Sequence, residues 1–296
     1  MAGTIRVATR ASALARWQAQ RVAAMLAVPT ELVIVSTSGD RRLDTPIHEL
    51  GGTGVFVKEV EEAVLDGRAD VAVHSAKDLP SETVDGLVLA AVPERADPRD
   101  ALVGSTLDAL PTGARVGSGS VRRRAQLAAL RSDLGFGELR GNIATRLDKM
   151  ADFDAVVVAY AALVRLGLDD RVSEVLEPAV MLPQVGQGAL AVECRADDVS
   201  TIEMLWGIDD RAAHRAIDAE RAFLAELGGG CNLPCGALAS VHDEGSIAIE
   251  VLLATGDGRI VLRAGTNGTD AVAVGVAAAG ALLDGHGGRL LLEDVA

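Results

Sequence analysis

The run Val71-Ala72-Val73 is apolar at three successive positions, and the chain then turns polar at once in His74-Ser-Ala-Lys77-Asp78-Leu-Pro80. A strand with apolar side chains on both faces has to be covered on both faces, which is the condition of a parallel sheet flanked by helices. In open α/β sheets, ligands bind at the carboxyl ends of the strands. His74, Ser75, Lys77 and Asp78 gather at that end here. A solvated turn in which Lys77 and Asp78 neutralise each other fits the same spacing. Lys58, Lys77 and Lys149 are the only lysines in a chain otherwise rich in arginine, so a lysine at 77 is not a casual surface choice.

Strand and helix patterns alternate around this stretch, which predicts a mostly parallel sheet. Thr4 to Thr9 reads as a strand, and Ser12 as the cap of a helix from Ala13 to Ala27 with Pro29 beyond its end. Glu31 to Val35 is a second strand, followed by Ser36-Thr37-Ser38-Gly39-Asp40. The polar, Gly-rich segment 41–54 reads as a mobile loop. Phe56 to Leu65 has helical spacing, and Leu87 to Val92 is a further apolar strand. The charged, proline-bounded segment from Pro93 to Asp100 is a candidate hinge.

A second α/β unit begins after it. Ala114 to Val116 leads into Gly117-Ser-Gly-Ser120, and Val121-Arg-Arg-Arg124 opens a helix to Leu130. A glycine-rich turn before a helix exposes backbone N–H groups at the positive end of the helix dipole, so arginines there favour an anion. Phe136 to Leu139 is a strand before Arg140-Gly141, and Asn142 or Thr145 caps a helix to Met150 that carries Arg146. Asp154 to Tyr160 is a buried strand, with Arg165 on the helix Ala161 to Leu166. Arg122, Arg123, Arg140, Arg146 and Arg165 thus fall near strand ends or helix starts of one unit. Any one of them is by default a solvated, weakly paired arginine, but that reading is less convincing for five together. Leu182 to Val192 is a Gly-broken strand that takes the chain back to the first sheet, giving two lobes with a ligand between them.

Helices from Asp198 to Trp206 and Asp209 to Leu227 precede Gly228-Gly-Gly-Cys231. The tail shows strands at Ala237 to Val241, Ile247 to Ala254, Ile260 to Ala264 and Leu290 to Leu292, and an Ala-rich helix from Thr269 to Leu283. It reads as a small α+β domain. The expected division is 1–95 with 189–208, then 96–188, then 209–296.

Composition sets the outer limits. A chain of 296 residues accommodates two or three cores, and with only 2% aromatic residues Ala, Val and Leu must fill them. A net charge of -14 argues against general nucleic-acid binding. The Ala271 to Leu283 run is too short to span a bilayer, and the arginines from Arg6 onward are unlike a signal peptide, so the expectation is a cytoplasmic protein without membrane contact. Cys194, Cys231 and Cys235 are an odd number, which agrees with a reducing compartment, and no histidine lies at ligand spacing for a metal. Held between glycines and Pro234, Cys231 has the setting of an exposed thiol, although a free cysteine that merely follows a helix fits too. A self-contained core and an acidic surface favour a monomer.

Several stretches together resemble the porphobilinogen deaminase family: Arg6-Val-Ala-Thr-Arg10-Ala-Ser12, Phe56-Val-Lys-Glu59, Val73 to Pro80, Val121-Arg-Arg123, Leu139-Arg-Gly-Asn142 with Thr145-Arg146, Val185-Gly-Gln-Gly188 and Gly229-Gly-Cys231. They cover nearly the whole chain in the family's order. The resemblance implies an α/β fold of two periplasmic-binding-protein-like lobes joined by a double hinge, plus a small third domain that presents Cys231. It implies a dipyrromethane cofactor on a Cys231 thioether and four porphobilinogen units joined head to tail with loss of ammonia. The product is the linear hydroxymethylbilane. Each pyrrole carries acetate and propionate groups, which gives the arginines a purpose.

By motif, Asp78 matches the catalytic carboxylate facing the pyrrole nitrogens. Arg10, Ser12, Arg140, Arg146, Arg165 and Gln187 match groups for substrate carboxylates. Lys77, Asp40, Ser120, Arg122 and Arg123 match groups that hold the cofactor. The chain departs from the family pattern at Glu49 and Thr53, where many members carry lysine, and at Gly119, where the family has serine; Cys235 lies four residues from Cys231. Two rivals come from other classes. A two-lobed solute-binding protein for a polycarboxylate needs the hinge and arginines but neither Asp78 nor Cys231. A DNA-binding regulator using the helix at Arg122 suits neither the charge nor the absence of a helix-turn-helix pattern.

Overall fold

A computed structural model of the chain describes residues 3–37, 54, 56–228, 233–242 and 244–293. In chain order, the first lobe contains β1 (Ile5–Arg10), α1 (Ala13–Met25), β2 (Thr30–Val35), α2 (Lys58–Leu65), β3 (Val71–Ser75) and β4 (Leu87–Ala91). The second contains β5 (Asp100–Val103), β6 (Arg115–Gly117), α3 (Val121–Leu130), β7 (Gly135–Gly137), α4 (Ile143–Asp148), β8 (Ala155–Ala159), α5 (Tyr160–Arg165) and β9 (Val172–Leu176). The chain then returns as β10 (Leu190–Arg195), followed by α6 (Val199–Leu205) and α7 (Arg211–Glu226). Three strands, β11 (Cys235–Val241), β12 (Ile247–Ala254) and β13 (Val261–Gly268), and two helices, α8 (Ala271–Gly280) and α9 (Gly288–Glu293), complete it.

The two large sheets share one plan. Their strand orders are β2-β1-β3-β10-β4 and β7-β6-β8-β5-β9. In each, four strands run the same way and the fourth in order is reversed: β10 is antiparallel to β3 and β4, and β5 to β8 and β9. Each reversed strand is the first one laid down after the chain crosses between lobes. The fold is therefore α/β with two lobes of periplasmic-binding type, a double connection, and a small antiparallel third sheet in the order β11-β12-β13. No helix among the described residues is long and apolar enough to cross a membrane.

Several expected elements differ. The strands β5 and β9 carry no clear periodic signal, and β5 emerges from a segment that reads as a charged hinge. Leu182 to Gly188 is irregular, and strand geometry begins only at Leu190. Leu290 to Leu292 lies in a helix rather than a strand. A three-leucine run has no period of its own, and helical geometry buries Leu291 in the third core while leaving Leu290 outside.

Small side chains do the packing. Val7, Val22, Val71 and Val192 share one face of the first sheet with α1, whereas Ala8, Ala72, Val60 and Val64 share the other with α2. Among the described residues, Phe223 is the sole aromatic of the largest fully buried side chains, in the core beneath the third sheet. The helix α7 serves two cores, because Ala213 and Ile217 pack against Ala76, Leu79 and Ala191 of the first lobe while Phe223 faces the third sheet.

The two crossings lie side by side. Ala96 N–H donates to Gly188 O at 3.2 Å, and Arg95 Nε to Gln187 O at 3.0 Å. Fully buried Glu220 on α7 binds all three units together. It accepts from Arg95 Nη1 at 2.6 Å, from Gly186 N–H at 2.7 Å and from Ala239 N–H at 2.9 Å. Buried charge is tolerated only when its lone pairs are used in this way.

Two glycines permit the close approach. Gly186 has φ +73°, and a Cβ there would lie 2.8 Å from Ala76 C and Lys77 N. Gly188 has φ +88°, and a Cβ would lie 2.4 Å from Ala96 O. Gly188→Ala is expected to combine an unfavourable φ with a backbone clash and to lower unfolding stability by about 2 kcal/mol or more. Urea unfolding that gives a wild-type midpoint for this variant would rule out the tight crossing.

Candidate active site

The site assembles from the carboxyl ends of parallel strands. β1 and β3 are neighbours and run the same way, so Arg10 at the end of one and the Ala76–Asp78 turn after the other share an edge of the sheet. Arg10 stacks its guanidinium 4.3 Å above the Phe56 ring. Ser12 caps α1 by accepting from Ala15 N–H at 3.2 Å. Buried Gln18 donates to Ser75 Oγ at 2.7 Å. Arg10, Gln18, Phe56, Ser75 and Asp78 line a small cavity at this edge.

The second lobe supplies the facing groups. Ser120 caps α3, accepting from Arg123 N–H at 3.5 Å, and Asn142 caps α4, accepting from Thr145 N–H at 3.0 Å. Arg146 Nε donates to Gly141 O at 2.9 Å, which leaves its remaining N–H groups for other partners. Arg140 has a buried Nη1 with no hydrogen-bond partner. At Gly119 a Cβ would lie 2.9 Å from Leu139 O, so this loop packs against its neighbour too tightly for the serine of the family pattern.

The charges respond to one another across the lobes. Burial pushes the Lys77 ammonium down to about 8, with Arg123 and Arg146 lowering it and Asp78 and Asp100 raising it. Burial also brings Arg146 down to about 10; Arg123 and Arg140 push the same way, and Asp78 and Glu138 oppose them. Lys77 and Asp78 of the first lobe therefore share one electrostatic neighbourhood with Arg123, Arg140 and Arg146 of the second. Such a site gathers several desolvated cations around Asp78, and it suits a ligand with several negative groups.

Arg122, Arg123 and Gln187 share a buried partner that the sequence expectation did not include. All three converge on Asp100, the fully buried first residue of β5. Its carboxylate accepts from Arg122 Nη2 at 2.8 Å, Arg123 Nη2 at 2.7 Å, Arg123 Nε at 3.0 Å and Gln187 Nε2 at 2.9 Å. Arg122 also donates to Leu182 O at 2.6 Å, and Gln187 to Pro98 O at 2.7 Å. Burial alone would raise the Asp100 carboxyl, but Arg122 and Arg123 hold it at about 2. Arg123 still lies close enough to Lys77 and Arg146 to influence both. Asp100 escaped the sequence reading because it closes a charged, proline-bounded segment; the signal available was the apolar Ala101-Leu-Val103 that follows it.

Arg165 stands apart from that group, with its guanidinium 5.6 Å from the Trp17 ring centre and Nη2 donating to Gly188 O at 2.6 Å. Asp40, Cys231, the loop positions Glu49 and Thr53, and nearly all of 41–54 lie outside the described residues. Cys235 is buried at the start of β11. The next residue, Gly236, packs where a Cβ would meet Arg122 Cδ at 3.4 Å.

A family model described as porphobilinogen deaminase, dipyromethane cofactor binding domain, matches residues 5–203, and one described as porphobilinogen deaminase, C-terminal domain, matches residues 214–284. A porphobilinogen deaminase of Roseiflexus sp. strain RS-1 is 51% identical over 99% of both chains. One from Acidithiobacillus ferrooxidans is 46% identical over 100% of this chain and 99% of its own, and one from Brevibacillus brevis 44% identical over 98% and 97%. With the models spanning both lobes and the third unit, and with relatives near half identical from end to end, the chain belongs to the porphobilinogen deaminase family, transferases of tetrapyrrole biosynthesis that form hydroxymethylbilane.

Proposed function

We propose that this chain joins four porphobilinogen molecules head to tail, with Asp78 as the catalytic carboxylate and with a dipyrromethane held through a thioether to Cys231. The observation that carries this reading is the placement of Asp78 at the end of β3, within the electrostatic reach of Lys77 and Arg146. Each addition breaks the C–N bond of a porphobilinogen aminomethyl group, releases ammonia and forms a C–C bond to a pyrrole α-carbon, which then loses its proton. Departure of ammonia leaves positive charge on the incoming pyrrole. A carboxylate at its N–H stabilises that charge where it develops, and Asp78 can also carry the proton from donor to leaving group.

The residues suit a group with several carboxylates. The unpartnered, buried Arg140 Nη1 and the desolvated Lys77 and Arg146 are ready donors for carboxylate oxygens. A bound dipyrromethane supplies a free pyrrole α-position that starts the chain. Lys77, Asp40, Ser120, Arg122 and Arg123 are assigned to hold it, the last two through a rigid Asp100 anchor that fixes their planes. Arg10, Ser12, Arg140, Arg146 and Arg165 are assigned to the porphobilinogen carboxylates, with Gln187 supporting them from the Asp100 network. The proposed division into 1–95 with 189–208, 96–188 and 209–296 puts the site between the first two units and the thiol on the third.

Three measurements test this reading. Intact-mass analysis after exposure to porphobilinogen should show the polypeptide plus two porphobilinogen units less two ammonia, lost in Cys231→Ser; a bare polypeptide would favour the solute-binding rival instead. Asp78→Asn should retain that added mass while turnover falls by about 100-fold or more, and wild-type rates would remove the carboxylate from the mechanism. In the cofactor-free protein, the Lys77 amine is charged below about pH 8 and neutral above it. Reductive methylation with labelled formaldehyde should therefore give one lysine NMR signal, absent in Lys77→Arg, that titrates near 8. It should shift upward once the cofactor carboxylates are present, because anions favour the ammonium form. Three lysines titrating together at their ordinary value of about 10.4 would show that position 77 is solvated.

A further inference from the structure

Arg165 ends α5 on the second lobe, and its guanidinium lies over Trp17 of α1 on the first. The two helices are in direct contact. Among the described residues, the arginine–ring contacts of Arg10 with Phe56, Arg115 with Phe153 and Arg124 with Phe136 each stay within one lobe, whereas this one spans two. Arg165 is also tied to the crossing, since Gly188 O accepts both Arg165 Nη2 at 2.6 Å and Ala96 N–H at 3.2 Å.

Its electrostatic setting is unusual for a half-buried arginine in an acidic chain. No carboxylate of the described residues pairs with it, and burial alone brings the guanidinium down to about 10. A cation desolvated without a counter-charge has an energetic deficit that an arriving anion relieves. Stacking occupies the face of a guanidinium and leaves its in-plane N–H groups available. One of these is used by Gly188, so the rest of the edge is open to a carboxylate.

We infer that Trp17 is a positioning residue for the reaction: its ring holds the plane of Arg165 across the two lobes so that the open N–H edge receives a porphobilinogen carboxylate without first being ordered. This rests on the functional reading above, in which Arg165 takes a substrate carboxylate. Ordering a free arginine side chain at the moment of binding costs affinity, and a prepaid orientation returns it as a lower KM. Trp17 itself touches no reacting atom.

The test is steady-state kinetics on cofactor-loaded enzyme with porphobilinogen, for Trp17→Leu, Trp17→Phe, Arg165→Gln and the double variant Trp17→Leu with Arg165→Gln. Loss of the ring should raise KM about three- to ten-fold, the scale of a partly buried cation–π contact, with kcat within about two-fold. Phenylalanine, which keeps a π face, should restore most of the loss. In the Arg165→Gln background the leucine substitution should change KM no further. An unchanged KM in Trp17→Leu overturns the inference. So does an equal KM increase with and without Arg165, which would mark Trp17 as a packing residue only. If Trp17→Leu does not fold, exposed Trp206 can be replaced by Phe, leaving Trp17 as the only tryptophan. Its emission should then change on porphobilinogen binding and lose that response when Arg165→Gln is added; a response that survives overturns the inference. A wild-type enzyme that turns over no porphobilinogen overturns the functional reading itself, and does so before any variant is made.

Discussion

The carboxylate of Asp100 is the anchor on which the cation side of the cleft depends. It sits fully buried at the first position of β5, just after the chain has crossed between lobes. There it draws Arg122 and Arg123 from α3 and Gln187 from the returning segment onto one point. Two guanidinium groups so close together repel each other, and in a medium of low polarity they are stable only with an anion between them. The anchor therefore fixes the first turn of α3 against both crossings. The rest of the cleft is then free to carry an excess of positive charge.

That excess is costly without a ligand. Lys77 and Arg146 are both pulled below their ordinary values by burial and by neighbouring arginines, which means that the folded chain holds them charged at an energetic disadvantage. A polycarboxylate ligand repays this cost, and in an acidic protein the local sign of charge, rather than the net charge, selects it. Asp78 is the counterweight on the first lobe. It raises the affinity of Lys77 and Arg146 for their protons.

A second buried group of charges lies behind the first sheet, where α2, β3, β10 and α7 meet. His74 Nε2 lies 3.3 Å from Glu193 Oε2, yet the pair is too poorly aligned to form a hydrogen bond. Proximity rather than directed bonding describes that contact. Burial, reinforced by Glu193, lifts the nearby Glu61 carboxyl to about 7, with His74 and Arg221 opposing the rise. Together with the Arg95–Glu220 pair, this places α7 as the element whose charges reach the first lobe, the crossings and the third sheet.

Local chemistry made much of this visible in the sequence. Ser12, Ser120 and Asn142 are caps because a side-chain oxygen next to a helix start is within reach of its own unpaired N–H groups. The unbroken apolar strands β3 and β8 announced sheets covered on both faces, and Lys77, Asp78, Arg140 and Arg146 fell near strand ends or helix starts for the same local reason. Their assembly into one site was not local. Asp100 finds Arg122 at a separation of 22 residues and Gln187 at 87, and Arg165 finds Trp17 in the other lobe. Strand β5 was illegible because its four residues follow prolines and charges, and Leu290 to Leu292 because three leucines satisfy either period. The sequence by itself determined which groups end strands, cap helices and carry charge, since those depend on neighbours a few residues away. Only the tertiary structure decided which arginines are fixed on Asp100 and which, among the described residues, have no carboxylate paired with them, because a buried charge takes its partner from whatever the folded chain brings within about 3 Å of it.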